Sequence, residues 1–152
     1  MKHLHLLFFA LVAAAGFAPA AQAQTAGPPV TYQDYAAKLP DAMMSLTMIT
    51  YACQHFQGAD TYDEGRKLVH DVTLSLTDTA TADSFTTSAE TAAKAACADP
   101  ALCWHDLLNE GVAPTEDNGA AACGEYTGKS LALVKYLVEG LVRTKPAATP
   151  QP

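Results

Sequence analysis

Positive charge is what this sequence has least of. Nine Lys and Arg stand against sixteen Asp and Glu, a formal net charge of −7 with His neutral. Nucleic acid and anionic lipid are both gripped by basic patches, so neither is expected as a partner. No apolar run alternates with polar residues, which removes the usual signature of a strand. Beyond the first 23 residues no apolar run approaches the roughly 20 residues a membrane helix needs. No segment repeats another. Catalytic signatures are missing too: there is no Gly-x-Ser-x-Gly and no His-Glu-x-x-His, and His55, His70 and His105 never pair at metal-ligand spacing. No catalytic residue, metal site or cofactor is therefore predicted, and the expected product is not an enzyme. A Ser/His/Asp or Cys/His set that assembles only in space keeps a small hydrolase as an alternative.

The start of the chain carries a targeting pattern. Lys2, an apolar run from Leu4 to Phe17 and the small-x-small site Ala21-Gln22-Ala23 predict a signal peptide over residues 1–23. The product is then periplasmic or secreted, begins at Gln24, and needs no membrane after export. Without Lys2 its net charge is near −8. Residues 24–30 read as a linker, 31–144 as one helical domain, and 145–152 as a Pro/Ala tail expected to be disordered.

The strongest periodicity runs from Cys123 to Val142. At about 100° per residue it gathers Cys123, Thr127, Leu131, Val134, Leu137, Val138 and Leu141 on one face, with Glu125, Lys129, Lys135, Glu139 and Arg143 opposite. An apolar arc that wide calls for several partner helices, and the rest of the chain reads as built to cover it. A short helical turn from Thr31 is expected to stop at Pro40. Asp41 to Phe56 follows as a helix apolar on two sides, with Ala42, Leu46, Ile49, Cys53 and Phe56 on one and Met44, Met48 and Tyr51 on the other. Such a helix belongs inside a bundle, ended here by Gly58.

Thr61-Tyr-Asp-Glu64 has the form of a capping box, predicting a third helix to about Thr77 that buries Tyr62, Leu68, Val69, Val72 and Leu76. Ala82, Phe85, Ala89, Ala92, Ala93 and Ala96 mark a fourth, thin stripe in a Thr- and Ser-rich segment of low helix propensity. Asp99-Pro100 starts a short helix carrying Cys103, Trp104, Leu107 and Leu108 inward. Val112 to Gly119 is the longest polar loop. The predicted class is all-α, a four- to five-helix bundle.

Several tempting motifs have plainer readings. Cys123 to Ser130 reads Cys-x-x-x-x-Gly-Lys-Ser, but a phosphate loop needs Gly in place of that cysteine and a strand before it. Cys103-Trp104-His105 lacks the second cysteine of a haem attachment sequence. The adjacent carboxylates Asp63/Glu64 and Glu116/Asp117 diverge rather than converge. Met43, Met44 and Met48 fit core packing better than an adaptable groove.

Cys53, Cys97, Cys103 and Cys123 all follow the leader, and an even count in an exported chain predicts two disulfides. Cys97 and Cys103 flank a corner between helices, while Cys53 and Cys123 lie mid-stripe on the two most apolar helices. Cys53–Cys123 with Cys97–Cys103 is the favoured pairing, with the two crossed connectivities open.

The closing segment, Cys123-Gly-Glu-Tyr-Thr-Gly128 followed by Leu131 to Leu137, resembles the end of small periplasmic immunity proteins. These protect bacteria from type VI secretion peptidoglycan amidases. The likeness spans about twenty residues and, loosely, Cys53; the Cys-x-Gly-Tyr-Ile run found in part of that group is lacking. It implies an exported, bridged, mostly helical inhibitor that plugs an enzyme's cleft. Read from the residues alone, an acidic helical frame suits a protein that occupies another protein's surface. Glu116, Asp117 and Asn118, in the polar loop, are the candidate contacts; a merely solvated connection is the plain reading. A periplasmic stress chaperone is the other alternative, and a homodimer is left open.

Overall fold

Thr31 begins the first helix by bonding its own first turn. Its hydroxyl oxygen accepts from the Asp34 amide at 3.2 Å while the Asp34 carboxylate accepts from the Thr31 amide at 3.0 Å. These reciprocal bonds satisfy two donors that a helix start otherwise leaves open. The computed structural model describes residues 31–99, 103–104 and 115–146. Among them are five helices and no strand: α1 (Tyr32–Ala52), α2 (Gln54–Gln57), α3 (Ala59–Leu76), α4 (Thr79–Ala96) and α5 (Glu116–Thr144). The bundle predicted from the sequence is present. Residues 1–30 and most of the Asp99–Gly111 segment lie outside the described residues, as do Val112 to Pro114 of the polar loop and the end of the tail.

Pro40 does not stop the first helix. α1 runs through it for 21 residues, although an interior proline costs about 3 kcal/mol and disfavours helix at the residue before it. Tyr35 and Leu39 precede the proline; Ala42, Met43 and Leu46 follow it; all five are buried in one cluster. A break at Pro40 would swing the first pair away from the second. Burying a large apolar side chain contributes on the order of 2 kcal/mol, so the joined stripe outweighs the lost bond.

α1 is also the organising helix, in place of the last one. It touches each of the other four, while α5 packs chiefly along α1. α5 buries Cys123, Thr127, Val134, Leu137 and Leu141 as expected, but Leu131 is 39% exposed and Val138 half-buried. α1 alone covers a narrower arc than several helices would. The two helices run antiparallel, with Cys53 beside Cys123 at one end and Tyr35 beside Gly140 and Arg143 at the other.

The third helix opens differently from the expectation. It starts at Ala59 after Gly58, whose φ of +80° suits a residue without Cβ. Thr61 is already inside the helix and donates its hydroxyl to the Gln57 carbonyl at 3.0 Å, so no capping box forms at Thr61–Glu64. α3 buries Tyr62, Gly65, Val69 and Thr73, leaving Leu68 and Leu76 at 36% and 43% exposure. Gly65 sets that rotation: a Cβ there would lie 3.1 Å from the Thr50 side chain of α1.

α4 forms despite its composition. Asp78 caps it by accepting from the Thr81 amide at 2.8 Å, and Ala82, Thr86, Ala89 and Ala93 are buried. Thr47, Thr50, Thr73 and Thr86, buried in three helices, each donate to the carbonyl four residues back at 2.8–3.0 Å. Their hydroxyls therefore enter the core with a partner. No helix of the described residues is long and apolar enough to cross a membrane.

Candidate functional site

Both predicted disulfides are present, Cys53–Cys123 and Cys97–Cys103, with Cα atoms 5.6 and 5.3 Å apart. They lie in one buried cluster with Ala52 and Trp104, flanked by Ile49, Tyr51, Phe56, Ala122 and Tyr126. Three of the four cysteines are placed by the end or body of a helix. Cys53 is the junction of α1 and α2, Cys97 ends α4, and Cys123 lies about two turns into α5. Trp104 is fully buried and meets Phe56 edge to face at 4.7 Å. The bridges therefore tie the ends of α1, α4 and α5 to one aromatic core.

That core fixes where α5 begins. Gly119, in its first turn, sits so close that a Cβ would lie 2.5 Å from Phe56 and 2.8 Å from Trp104. Thr115 caps the helix: its hydroxyl oxygen accepts from the Asn118 amide at 3.4 Å, and Asn118 Oδ1 accepts from the Thr115 amide at 2.7 Å. The expected loop contacts are thus helical. Glu116 and Asp117 are the first two residues of α5, and Asn118 belongs to its cap. The physical reason is the Thr-x-x-Asn pattern, a reciprocal cap in a stretch that reads as polar loop. Acidic residues at this position also suit the positive end of the helix dipole. Thr127 donates to Gln57 Oε1 at 3.0 Å, joining α5 to α2 next to the cluster.

The phosphate-loop lookalike is continuous helix from Cys123 to Ser130, with Cys123 bridged and Ser130 buried. Lys129 pairs with Glu125 one turn back, which holds that carboxyl below the usual glutamate range, and lies 5.6 Å over the Tyr126 ring. Of the methionines, Met43 is core and Met44 and Met48 are half-buried.

The histidines are not brought together. His55 is exposed against Phe56 at 4.8 Å, and His105 lies outside the described residues. His70 is half-buried with Nε2 3.0 Å from Asp83 of α4. It lines an open groove of about 460 Å³ with Asp63, Arg66, Lys67, Asp83 and Thr86. Sequence reasoning misses this groove, because α3 and α4 each show only a solvated charged face. Its cations are engaged: Lys67 with Asp71 and Arg66 with Glu90 at 3.8 Å. Among the described residues no group of three or more His, Cys, Asp or Glu side chains is arranged to hold a metal ion.

Comparison with protein-family models, curated proteins and solved structures finds no match for this chain.

Proposed function

We propose that this chain is an exported binding protein that acts by occupying another protein's surface, the first candidate partner being a cell-wall hydrolase that it inhibits. The observation that carries this reading is the doubly bridged end of the bundle. There the first turn of α5, with Glu116, Asp117 and Asn118, starts against half-buried Phe56, buried Trp104 and two disulfides. A contact surface held rigid before binding avoids the entropy of ordering it afterwards, which is how small inhibitors reach high affinity. Acidic residues there complement basic or hydrogen-bond-donating groups in a cleft.

Two neutralising changes, Glu116→Gln with Asp117→Asn, test the surface. Binding to the cognate partner should weaken and lose part of its salt dependence, while helical content stays the same. Their position in the first turn adds a small stability cost, about 0.3–1 kcal/mol each from the helix dipole. The partner is sought by co-expressing the wild-type chain with periplasmic cell-wall amidases and scoring growth and co-purification. Neither rescue nor complex formation with any of them would remove the inhibitor reading.

A second reading, a periplasmic stress chaperone, is favoured by one observation. Leu131, Leu133, Tyr136 and Val142 of α5 and Leu68, Leu74 and Leu76 of α3 are 36–72% exposed. Exposed apolar surface is what a holdase offers to unfolded chains. Suppression of the aggregation of a reduced, unfolding client at equimolar ratio is its measure; clients that precipitate at an unchanged rate rule it out.

A further inference from the structure

We propose that the Cys97–Cys103 bridge is a redox latch: it holds Trp104 beneath Gly119, and opening it loosens the first turn of α5 without unfolding the bundle. The inference rests on that turn being the contact surface; if so, binding is available only to the oxidised protein. Trp104 directly follows Cys103, so the bridge to Cys97 fixes where the indole lies. The indole and Phe56 form the floor on which Gly119 rests. Without the indole, the start of α5 keeps Phe56 and the Thr115–Asn118 cap but loses the part of its floor that Trp104 supplies.

The two bridges differ in what they join. Cys53–Cys123 links the main pair of helices across 70 residues, and both cysteines are 0% exposed. Cys97–Cys103 spans six, starts at the residue that follows α4, and its cysteines are 4% and 5% exposed. Cys123 anchors the long bridge in the body of α5, whereas Cys97 follows the end of α4. Helix ends open locally at lower free energy than helix bodies, so a reductant reaches the Cys97–Cys103 bridge first. The chemistry is ordinary exchange. A dithiol's thiolate attacks one bridge sulfur and expels the other cysteine as a thiolate. The reagent's second thiolate then displaces the attacked cysteine, leaving two protein thiols and a cyclic reagent disulfide. Two electrons pass to the protein.

Trp104 is the chain's single tryptophan and reports its own release. The folded protein is treated with dithiothreitol in native buffer, alkylated with iodoacetamide and mapped by mass. Cys97 and Cys103 should be modified first. At that stage Trp104 emission should shift to the red and amide exchange over Thr115–Cys123 should accelerate at least tenfold, with far-UV helicity nearly unchanged and melting still cooperative. The double variant Cys97→Ser with Cys103→Ser should fold and reproduce these changes without reductant.

Four outcomes would overturn the latch. The bridge stays closed to the dithiol in the folded state; all four thiols are modified together as helicity collapses; Trp104 emission and exchange stay the same once Cys97 and Cys103 are alkylated; or the double variant fails to fold. None of these readouts needs a partner. A chain that behaves as a latch yet binds no hydrolase keeps this inference and loses the inhibitor reading.

Discussion

Glycine shows at the scale of single residues how the same side chain answers different demands. Gly140 is required by packing, since a Cβ there would come within 2.2 Å of the Tyr35 ring. Gly124 and Gly128, on the same helix, are exposed and have nothing within 4 Å of the added carbon. Gly124→Ala and Gly128→Ala should therefore each raise stability by about 0.5–1 kcal/mol, the ordinary helix-propensity gain. Gly140→Ala should lower it by about 1–3 kcal/mol by overpacking against Tyr35. Urea unfolding of the three variants measures both signs. Tyr62 supplies a second residue-scale prediction. Its ring stacks edge to face on Tyr51 at 5.4 Å, but its hydroxyl is buried without a hydrogen-bond partner among the described residues, and burial holds its pKa above the ordinary tyrosine value. A buried hydroxyl left unsatisfied costs about 1–3 kcal/mol, so Tyr62→Phe should leave stability unchanged or raise it. A loss in melting temperature would show that the hydroxyl has a partner in solution.

The α3–α4 seam is the element with the clearest charge dependence. Glu90 of α4 accepts from Lys94 and faces Arg66 of α3 at 3.8 Å. The Lys94 hydrogen bond, with Lys94 and Arg66 charge behind it, holds the Glu90 carboxyl below the usual glutamate range. A depressed carboxyl contributes stability that is present above its unfolded pKa and lost as pH falls through the folded one. The seam should weaken on acidification below about pH 4, the unfolded glutamate value. Glu90→Gln should flatten the fall in melting temperature between about pH 5 and pH 3, and salt should blunt the difference because the side chain is 25% exposed. Legibility at this scale was uneven for a physical reason. The Thr-x-x-acid pattern occurs at Thr31 and at Thr61, yet only Thr31 forms the box. At Thr61 the chain has already turned at Gly58, and the hydroxyl finds the Gln57 carbonyl instead. Pro40 illustrates the converse, a strong local stop overridden by Leu39 and Leu46 sharing one core.

The two bridges act on the molecule as a whole. In the loop-entropy account a 70-residue closure is worth about 4 kcal/mol and a six-residue closure about 2. Replacing Cys53 and Cys123 together by Ala should therefore depress the melting temperature about twice as far as replacing Cys97 and Cys103. Equal losses would mean that the bridges stabilise by packing in the shared cluster rather than by constraining the unfolded chain. Either loss is large against a net stability of about 5–15 kcal/mol for a domain of this size.

Helical periodicity and cysteine positions were sufficient for the all-α class, for most of the α5 core face from Cys123 to Leu141, and for the preferred pairing of the cysteines. These depend on spacing along one helix and on which helices are apolar enough to meet. The role of α1 as the shared partner, the rotation of α3 that exposes Leu68, and the conversion of Glu116–Gly119 from loop to helix depended on tertiary contacts. Each rests on a fit between residues far apart in the chain, Gly65 against Thr50 and Gly119 against Phe56 and Trp104. A one-dimensional pattern records that a glycine is present, but only the folded chain brings up the neighbour that makes it necessary.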